Sequence, residues 1–317
     1  MSEEPTLADR QSASLADLLS ILELRELGVA TIHISGIDGE DTEVMGTDGA
    51  DIFEGRSQKM PHNRVYGGQV LSQSLMAASL TVRDEHPDRL PHSLHAYFMR
   101  AGDDTLPIRF AVERMRDGRS FSTRRVHAIQ HGRPILSLTA SFQDPAGGLD
   151  HHDVMPEVAA PEELASIAEI FGGMDHPRAQ HLAARPVEHR YVEGDIAMQI
   201  TGDHVAAQHI WIRAVNEVGE DPFLRAAVLA YMSDYTLLES VLRRHGRVWV
   251  DPSLRVASLD HSMWFHRPAD PAQWLLYAQE SPSAQGGRGL GIGRVFTRDG
   301  ALAATITQEG MIRIKEG

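Results

Sequence analysis

The chain has 317 residues, no cysteine, and a formal net charge of −14 from 30 basic and 44 acidic side chains. Without cysteine there is no disulfide, no thiolate nucleophile and no cysteine-ligated zinc or iron–sulfur centre. No apolar run approaches the roughly 20 residues of a spanning helix, so stable membrane insertion is not expected. The charge is unevenly placed: thirteen acids and only two bases, Arg10 and Arg25, fall within residues 1–55. The remaining body is close to neutral, and its 28 arginine and lysine residues can serve an anionic ligand. Nucleic acid is not expected as a partner, because no binding motif is present.

In chain order, Ser14-Leu-Ala-Asp17 reads as a helix start, with Ser14 as cap and an acid in the first turn. Leu15, Leu18, Ile21 and Leu22 give it an apolar face, and Gly28 is the expected stop. Residues 30–50, rich in Gly and acids, read as a surface loop or hairpin insertion. From Val65 to Thr81 the period is helical through Val70, Leu71, Leu75 and Ala78, with Gly67-Gly68-Gln69 at the opening. Extended runs follow at 93–100, 106–116, 119–130 and 133–143, with Asp117-Gly118 and His131-Gly132 at turns. Residues 144–184, punctuated by Pro145, Pro156, Pro161 and Pro177, read as a linker with one short helix from Pro161 to Phe171.

The second half repeats the order of the first. Runs at 185–192 and 205–214 lead into a helix over 222–244, followed by extended runs at 256–266, 273–281, 288–298 and 301–314. Phe98, Arg100 and Asp103 recur as Phe265, Arg267 and Asp270; Gly118-Arg119 recurs as Gly287-Arg288; Gly132 and Thr139 recur as Gly300 and Thr307. The nearly constant offset implies two copies of a long helix wrapped by an antiparallel sheet, able to join edge to edge with both helices on one face.

Several chemistries are absent from the pattern. There is no G-x-S-x-G elbow and no phosphate loop ending in G-K-[ST]. Gly287-Arg-Gly-Leu-Gly-Ile-Gly293 enters an extended run, so its glycines read as one strand face closely approached by a helix or ligand. His92 and His95 fall on opposite strand faces and do not form a metal site, although His92 alone is a candidate for catalysis. Asp234 lies among apolar residues of the second helix; read by itself, it is an exposed acid on a polar face with Glu239 and Arg243. Gln308 stands at the end of a strand, where a polar residue is ordinary.

Taken together, Val65-Tyr-Gly-Gly-Gln69, His92-Ser-Leu-His95, Asp117-Gly-Arg-Ser-Phe-Ser122, Thr139-Ala-Ser-Phe-Gln143, Leu259-Asp-His-Ser-Met-Trp-Phe-His-Arg267 and Gln308-Glu-Gly310 resemble the type II (TesB-like) acyl-CoA thioesterases. The resemblance runs in order from residue 52 to 314. It implies an α+β double hotdog fold: an acidic N-terminal helix and insertion (1–51), a first hotdog domain (52–145), a linker (146–184) and a second hotdog domain (185–317). It also implies hydrolysis of acyl-CoA to free acid and CoA without a metal or other cofactor. The family's catalytic set maps to Asp234, Ser258, which stands where many members have Thr, and Gln308. The corresponding first-half positions, near Gly68, Pro91 and Ala140, carry nothing equivalent.

On this reading the three side chains hold a water, Asp234 takes its proton and Gln308 orients it. Backbone donors at Gly67 and Gly68, opening the first helix, are candidates to receive the oxyanion. A hotdog enoyl-CoA hydratase or dehydratase and a non-catalytic acyl-CoA binder are the alternatives. The acidic N-terminus and the C-terminal Lys315-Glu-Gly317 suggest a cytoplasmic location rather than a secretory or peroxisomal address. Exposed edges and helix faces suggest a homodimer or higher homo-oligomer.

Overall fold

The computed structural model describes residues 5–32, 47–61, 63–200 and 203–315. Helix α1 (Leu7–Ile21) begins before Ser14, because Thr6 and Asp9 form a reciprocal cap: each side chain accepts the other's backbone N–H. Its apolar face, Leu15, Leu18 and Ile21, is buried as the spacing requires. The helix is over before Gly28, which instead occupies a bulge in strand β1 (Arg25–Ile32) with φ of 95°. Strand β2 (Thr47–Gly55) pairs with β1, so strands frame the expected insertion. Residues 33–46 of that insertion lie outside the described residues.

Helix α2 (Gly67–Arg83) leads into β3 (Leu90–Phe98), β4 (Ile108–Asp117), β5 (Phe121–Gln130) and β6 (Arg133–Gln143). Between the halves, the expected helix from Pro161 to Phe171 is two pieces, a 3₁₀ turn (Pro161–Glu163) and α3 (Ile167–Phe171). Ser166 ends the continuity by capping α3 reciprocally with Glu169. Helix α4 (Pro177–Ala183) completes the connection. The second half comprises β7 (Val187–Tyr191), β8 (Ala207–Ala214), α5 (Pro222–Ser233), α6 (Glu239–Arg244), β9 (Leu254–Ser258), β10 (Asp260–Phe265), β11 (Leu275–Gln285), β12 (Arg288–Thr297) and β13 (Leu302–Ile314).

Among the described residues all strands join one 13-stranded antiparallel sheet in the order β1-β2-β4-β5-β6-β3-β10-β13-β12-β11-β8-β7, with β9 paired to β13. The order is a palindrome about the β3–β10 seam, where Asp260, His261, Ser262, Met263 and Trp264 face Tyr97, Ala96, His95, Leu94 and Ser93. This is the double hotdog. The repeat extends to individual hydrogen bonds: the N–H groups of Met99 and Arg100 share the Ile135 carbonyl, and those of His266 and Arg267 share the Ala303 carbonyl. Helices α2 and α5 pack against each other, and one apolar core continues from Leu71, Leu75 and Leu94 to Val228, Met263 and Ile306. Each such side chain contributes about 1.5–3 kcal/mol on burial. Asp117-Gly-Arg-Ser-Phe-Ser122 is a structural hub: Arg124 pairs with Asp117 at 2.7 Å, and buried Arg89 donates to Ser122 and Asp144.

The helix expected over 222–244 is broken. It stops at Ser233 and resumes at Glu239. No Gly or Pro marks the break; distant donors make it. The Tyr66 hydroxyl donates to the Tyr231 carbonyl at 3.0 Å, and the Tyr277 hydroxyl donates to the Ser233 carbonyl at 3.0 Å. Those carbonyls would otherwise accept the N–H groups four residues onward. The broken segment settles onto the glycines of the sheet. A Cβ on Gly291 would lie 2.5 Å from the Leu237 carbonyl oxygen, and one on Gly310 would lie 2.3 Å from a Leu238 methyl. The run from Gly287 to Gly293 thus lets a helix end approach the strand, and Glu239 and Arg243 are buried rather than on a polar face.

Gly291→Ala places its methyl against backbone, which cannot rotate away. The expected cost is about 1–3 kcal/mol of stability, read as a lower urea midpoint at unchanged slope, together with lower activity. An unchanged midpoint would show that the segment tolerates displacement.

Candidate active site

Asp234 is the C-cap of α5, with φ −85° and ψ −5°, and the break turns its carboxylate toward the sheet. Ser258 closes β9, opposite Gly310 of β13. Alternation along β13 carries Ala304, Ile306 and Gln308 to the helix-facing side. The three side chains meet: Gln308 Nε2 donates to Asp234 Oδ1 at 2.8 Å and to Ser258 Oγ at 2.5 Å, and Ser258 Oγ lies 3.5 Å from Asp234 Oδ1. Behind them, buried His261 of β10 places Nδ1 3.1 Å from Gln308 Oε1 and Nε2 2.9 Å from Ser233 Oγ.

The first half reaches the same point through its backbone. A Cβ on Gly67 would lie 2.6 Å from Asp234 Oδ2, and one on Gly68 would lie 2.5 Å from the Tyr231 carbonyl oxygen. Only glycine admits the carboxylate at the first turn of α2, where the positive end of the helix favours an anion. The Gly68 N–H donates to the Asp234 carboxylate, so this candidate oxyanion donor is engaged by the acid. Burial pushes the Asp234 carboxyl up to about 6, although hydrogen bonds from Gln308, Gly68 and Ser258 oppose the shift. A carboxylate in this range can both take a proton and return it near neutral pH.

Tyrosines wall one side. Tyr66 stacks on Tyr235 at 4.7 Å between ring centres and meets Tyr231 edge-on at 5.0 Å. The Arg185 guanidinium lies 4.4 Å from the Tyr235 ring centre. Beside them is a cavity of about 310 Å³ whose lining includes Asp17, Gln58, Lys59, Arg185, Tyr231 and Tyr235. His92 is not part of this cluster: its Nε2 lies 2.8 Å from Ser141 Oγ, and its ring packs edge-on against Phe121. Sequence reasoning assigned no role to His261, Ser233, Tyr66 or Tyr277. The available signal for His261 was alternation, which places it on the same face as the buried Met263.

Two family profiles match the chain, "Acyl-CoA thioesterase" over residues 179–311 and "Acyl-CoA thioesterase N-terminal domain" over residues 56–143. Acyl-CoA thioesterase 2 of Haemophilus influenzae is 41% identical over 273 residues, spanning 84% of this chain and 93% of that protein.

The chain belongs to the acyl-CoA thioesterase family.

Other family members agree. Human acyl-coenzyme A thioesterase 8 is 41% identical over 84% of this chain and 85% of its own length. The crystal structure of acyl-CoA thioesterase II TesB2 from Mycobacterium marinum superposes with a TM-score of 0.70 at 37% identity, covering 95% of this chain and 99% of that one. Within this thioesterase-family fold, the cluster of Asp234, Ser258 and Gln308 lies where second-half side chains meet first-half backbone.

The raised Asp234 value also bears on stability. Folding is helped by the neutral carboxyl and opposed by the buried carboxylate, so this contribution is present below the ordinary value of 3.8 and is lost as pH rises through about 6. Asp234→Asn is therefore expected to be more stable than the parent at pH 8, by about 1–3 kcal/mol, with the difference shrinking towards pH 4. Urea unfolding of both proteins at the two pH values checks the sign.

Proposed function

We propose that this chain hydrolyses acyl-CoA thioesters to a free acid and CoA, using a water activated by Asp234 and positioned by Ser258 and Gln308. The observation that carries this reading is the convergence of one desolvated carboxylate, one hydroxyl and one amide within hydrogen-bonding distance, with the carboxyl held at about 6. Asp234 is the only proton acceptor of the three. Gln308 has no basicity and orients through its N–H groups, while Ser258 accepts from Gln308 and offers its own proton to the water or to Asp234.

The water oxygen attacks the thioester carbonyl carbon as its proton passes to Asp234. The carbonyl oxygen becomes anionic and takes up the N–H of Gly67, the first residue of α2, within the positive end of that helix. The intermediate collapses by breaking the carbon–sulfur bond, the electron pair leaves with sulfur, and the Asp234 proton neutralises the thiolate. The fatty acyl group is proposed to occupy the cavity beside Tyr231 and Tyr235, and the near-neutral body accommodates the anionic nucleotide end of CoA.

Incubation with palmitoyl-CoA and a thiol reagent tests the reading. Thioester hydrolysis releases free thiol, whereas a hydratase or a non-catalytic binder does not. Asp234→Ala should lower release by about 10²–10⁴-fold, the usual worth of a positioned general base. Full activity in that variant rejects the site. The parent's kcat/KM should rise as pH passes about 6, because Asp234 must be ionised to accept the proton. Ser258→Thr keeps the hydroxyl and should retain most activity.

A further inference from the structure

We infer that His261 is a positioning residue: in its Nδ1–H tautomer, set by the Ser233 hydroxyl, it fixes which way the Gln308 amide faces. The inference deepens the hydrolytic reading and rests on it. The argument is an accounting of hydrogens. Asp234 Oδ1 and Ser258 Oγ both lie within reach of the same end of the Gln308 amide, at 2.8 and 2.5 Å. A carboxylate oxygen can only accept, so that end must be the NH₂ group. The amide oxygen then faces His261 Nδ1 at 3.1 Å, and Nδ1 must carry a hydrogen.

The ring is fully buried, and burial lowers its pKa to about 4, so it holds one N–H and not two. Nε2 is therefore a lone pair, and its partner at 2.9 Å, the Ser233 hydroxyl, must donate to it. Ser233 Oγ also lies 2.8 Å from the Ala230 carbonyl oxygen. The opposite tautomer would let Ser233 donate there, but it would set the Nδ1 lone pair against the amide oxygen. Turning the amide relieves that clash only by setting its oxygen against ionised Asp234. In the arrangement Ser233 O–H to Nε2, Nδ1–H to Gln308 Oε1, and Gln308 NH₂ to Asp234 and Ser258, every close contact of the ring and of the amide has a hydrogen between its atoms while Asp234 is charged, and the Ser233 hydroxyl gives up the Ala230 carbonyl for the ring.

The elements agree with this role. His261 lies on the β3–β10 seam opposite Ala96, Ser233 is the last residue of α5 before the break, and Gln308 is on the neighbouring β13. The break that turns Asp234 toward the sheet thus also delivers the hydroxyl that faces Nε2. The other titratable groups bearing on Asp234 are Tyr66, Tyr235 and Tyr277, whose hydroxyls burial holds above their ordinary value and therefore neutral, with Arg185 beyond Tyr235. A pH change near Asp234 in a His261 variant therefore reports the amide.

The experiment has two arms. First, ¹⁵N-histidine-labelled protein is examined by two-bond ¹H–¹⁵N correlation near pH 8, assigning His261 by its loss in His261→Asn. The expected spectrum has a protonated Nδ1 and an unprotonated Nε2; the reverse tautomer overturns the inference whatever the enzymatic activity. Second, thiol release is followed in His261→Leu and His261→Asn, after matched circular dichroism shows both folded. His261→Leu should lose roughly 10- to 100-fold in kcat with KM little changed, on the order of one lost hydrogen bond in the transition state. Its acid limb should move to higher pH, because Asp234 loses the Gln308 donor. Asn can place an N–H where Nδ1 stood, so His261→Asn should recover much of the loss and restore the limb. Equal losses in the two folded variants, or a parent-like limb in His261→Leu, overturn the inference. Absence of thiol release from the parent protein rejects the hydrolytic reading instead, and leaves the tautomer result standing.

Discussion

Everything in this molecule turns on holding one carboxylate in a close-packed interior while keeping it ionisable. Asp234 loses solvation when the helix layer closes on the sheet, and desolvation is the largest influence on it. Three donors offset that loss, from Gln308, Gly68 and Ser258, and each comes from a different element. Too few donors would leave a neutral acid unable to accept a proton. Many more would yield a carboxylate too stable to act as a base. The value near 6 is the balance between a buried position and a limited set of hydrogen bonds.

That balance depends on missing atoms as much as on those present. Glycines at 67 and 68 admit the carboxylate and the neighbouring carbonyl to the start of α2, and glycines at 291 and 310 admit the turn that follows. Tyrosine hydroxyls supply the opposite influence, taking the carbonyls of residues 231 and 233 and interrupting the helix at Asp234. Asp234 is at once the end of a helix, a guest at the start of another and a partner of the sheet.

Much of this was legible in the sequence. Helical and alternating periods placed most elements, and the offset between Phe98–Arg100 and Phe265–Arg267 disclosed the duplication that the palindromic sheet displays. The site triplet came from resemblance rather than periodicity, because Asp234 considered alone looks like an ordinary surface acid. The break at residues 234–238 was illegible: nothing local in Asp-Tyr-Thr-Leu-Leu ends a helix, and the responsible donors, Tyr66 and Tyr277, are remote in sequence. The early start of α1 was missed because Thr6 and Asp9 form a better cap than Ser14. The engaged Gly68 N–H was equally invisible, since sequence patterns describe side chains and this contact is made by the main chain.

The two halves bring different things to the cluster, and so must keep different things. The second copy contributes acid, hydroxyl and amide, all of which leave a trace in a residue-by-residue comparison. The first copy contributes a helix terminus and an absence of bulk. What the cluster requires of it is shape: the opening turn of its helix must stay free of side chains, while its buried side chains answer to packing. The first copy is a mould against which the second is pressed.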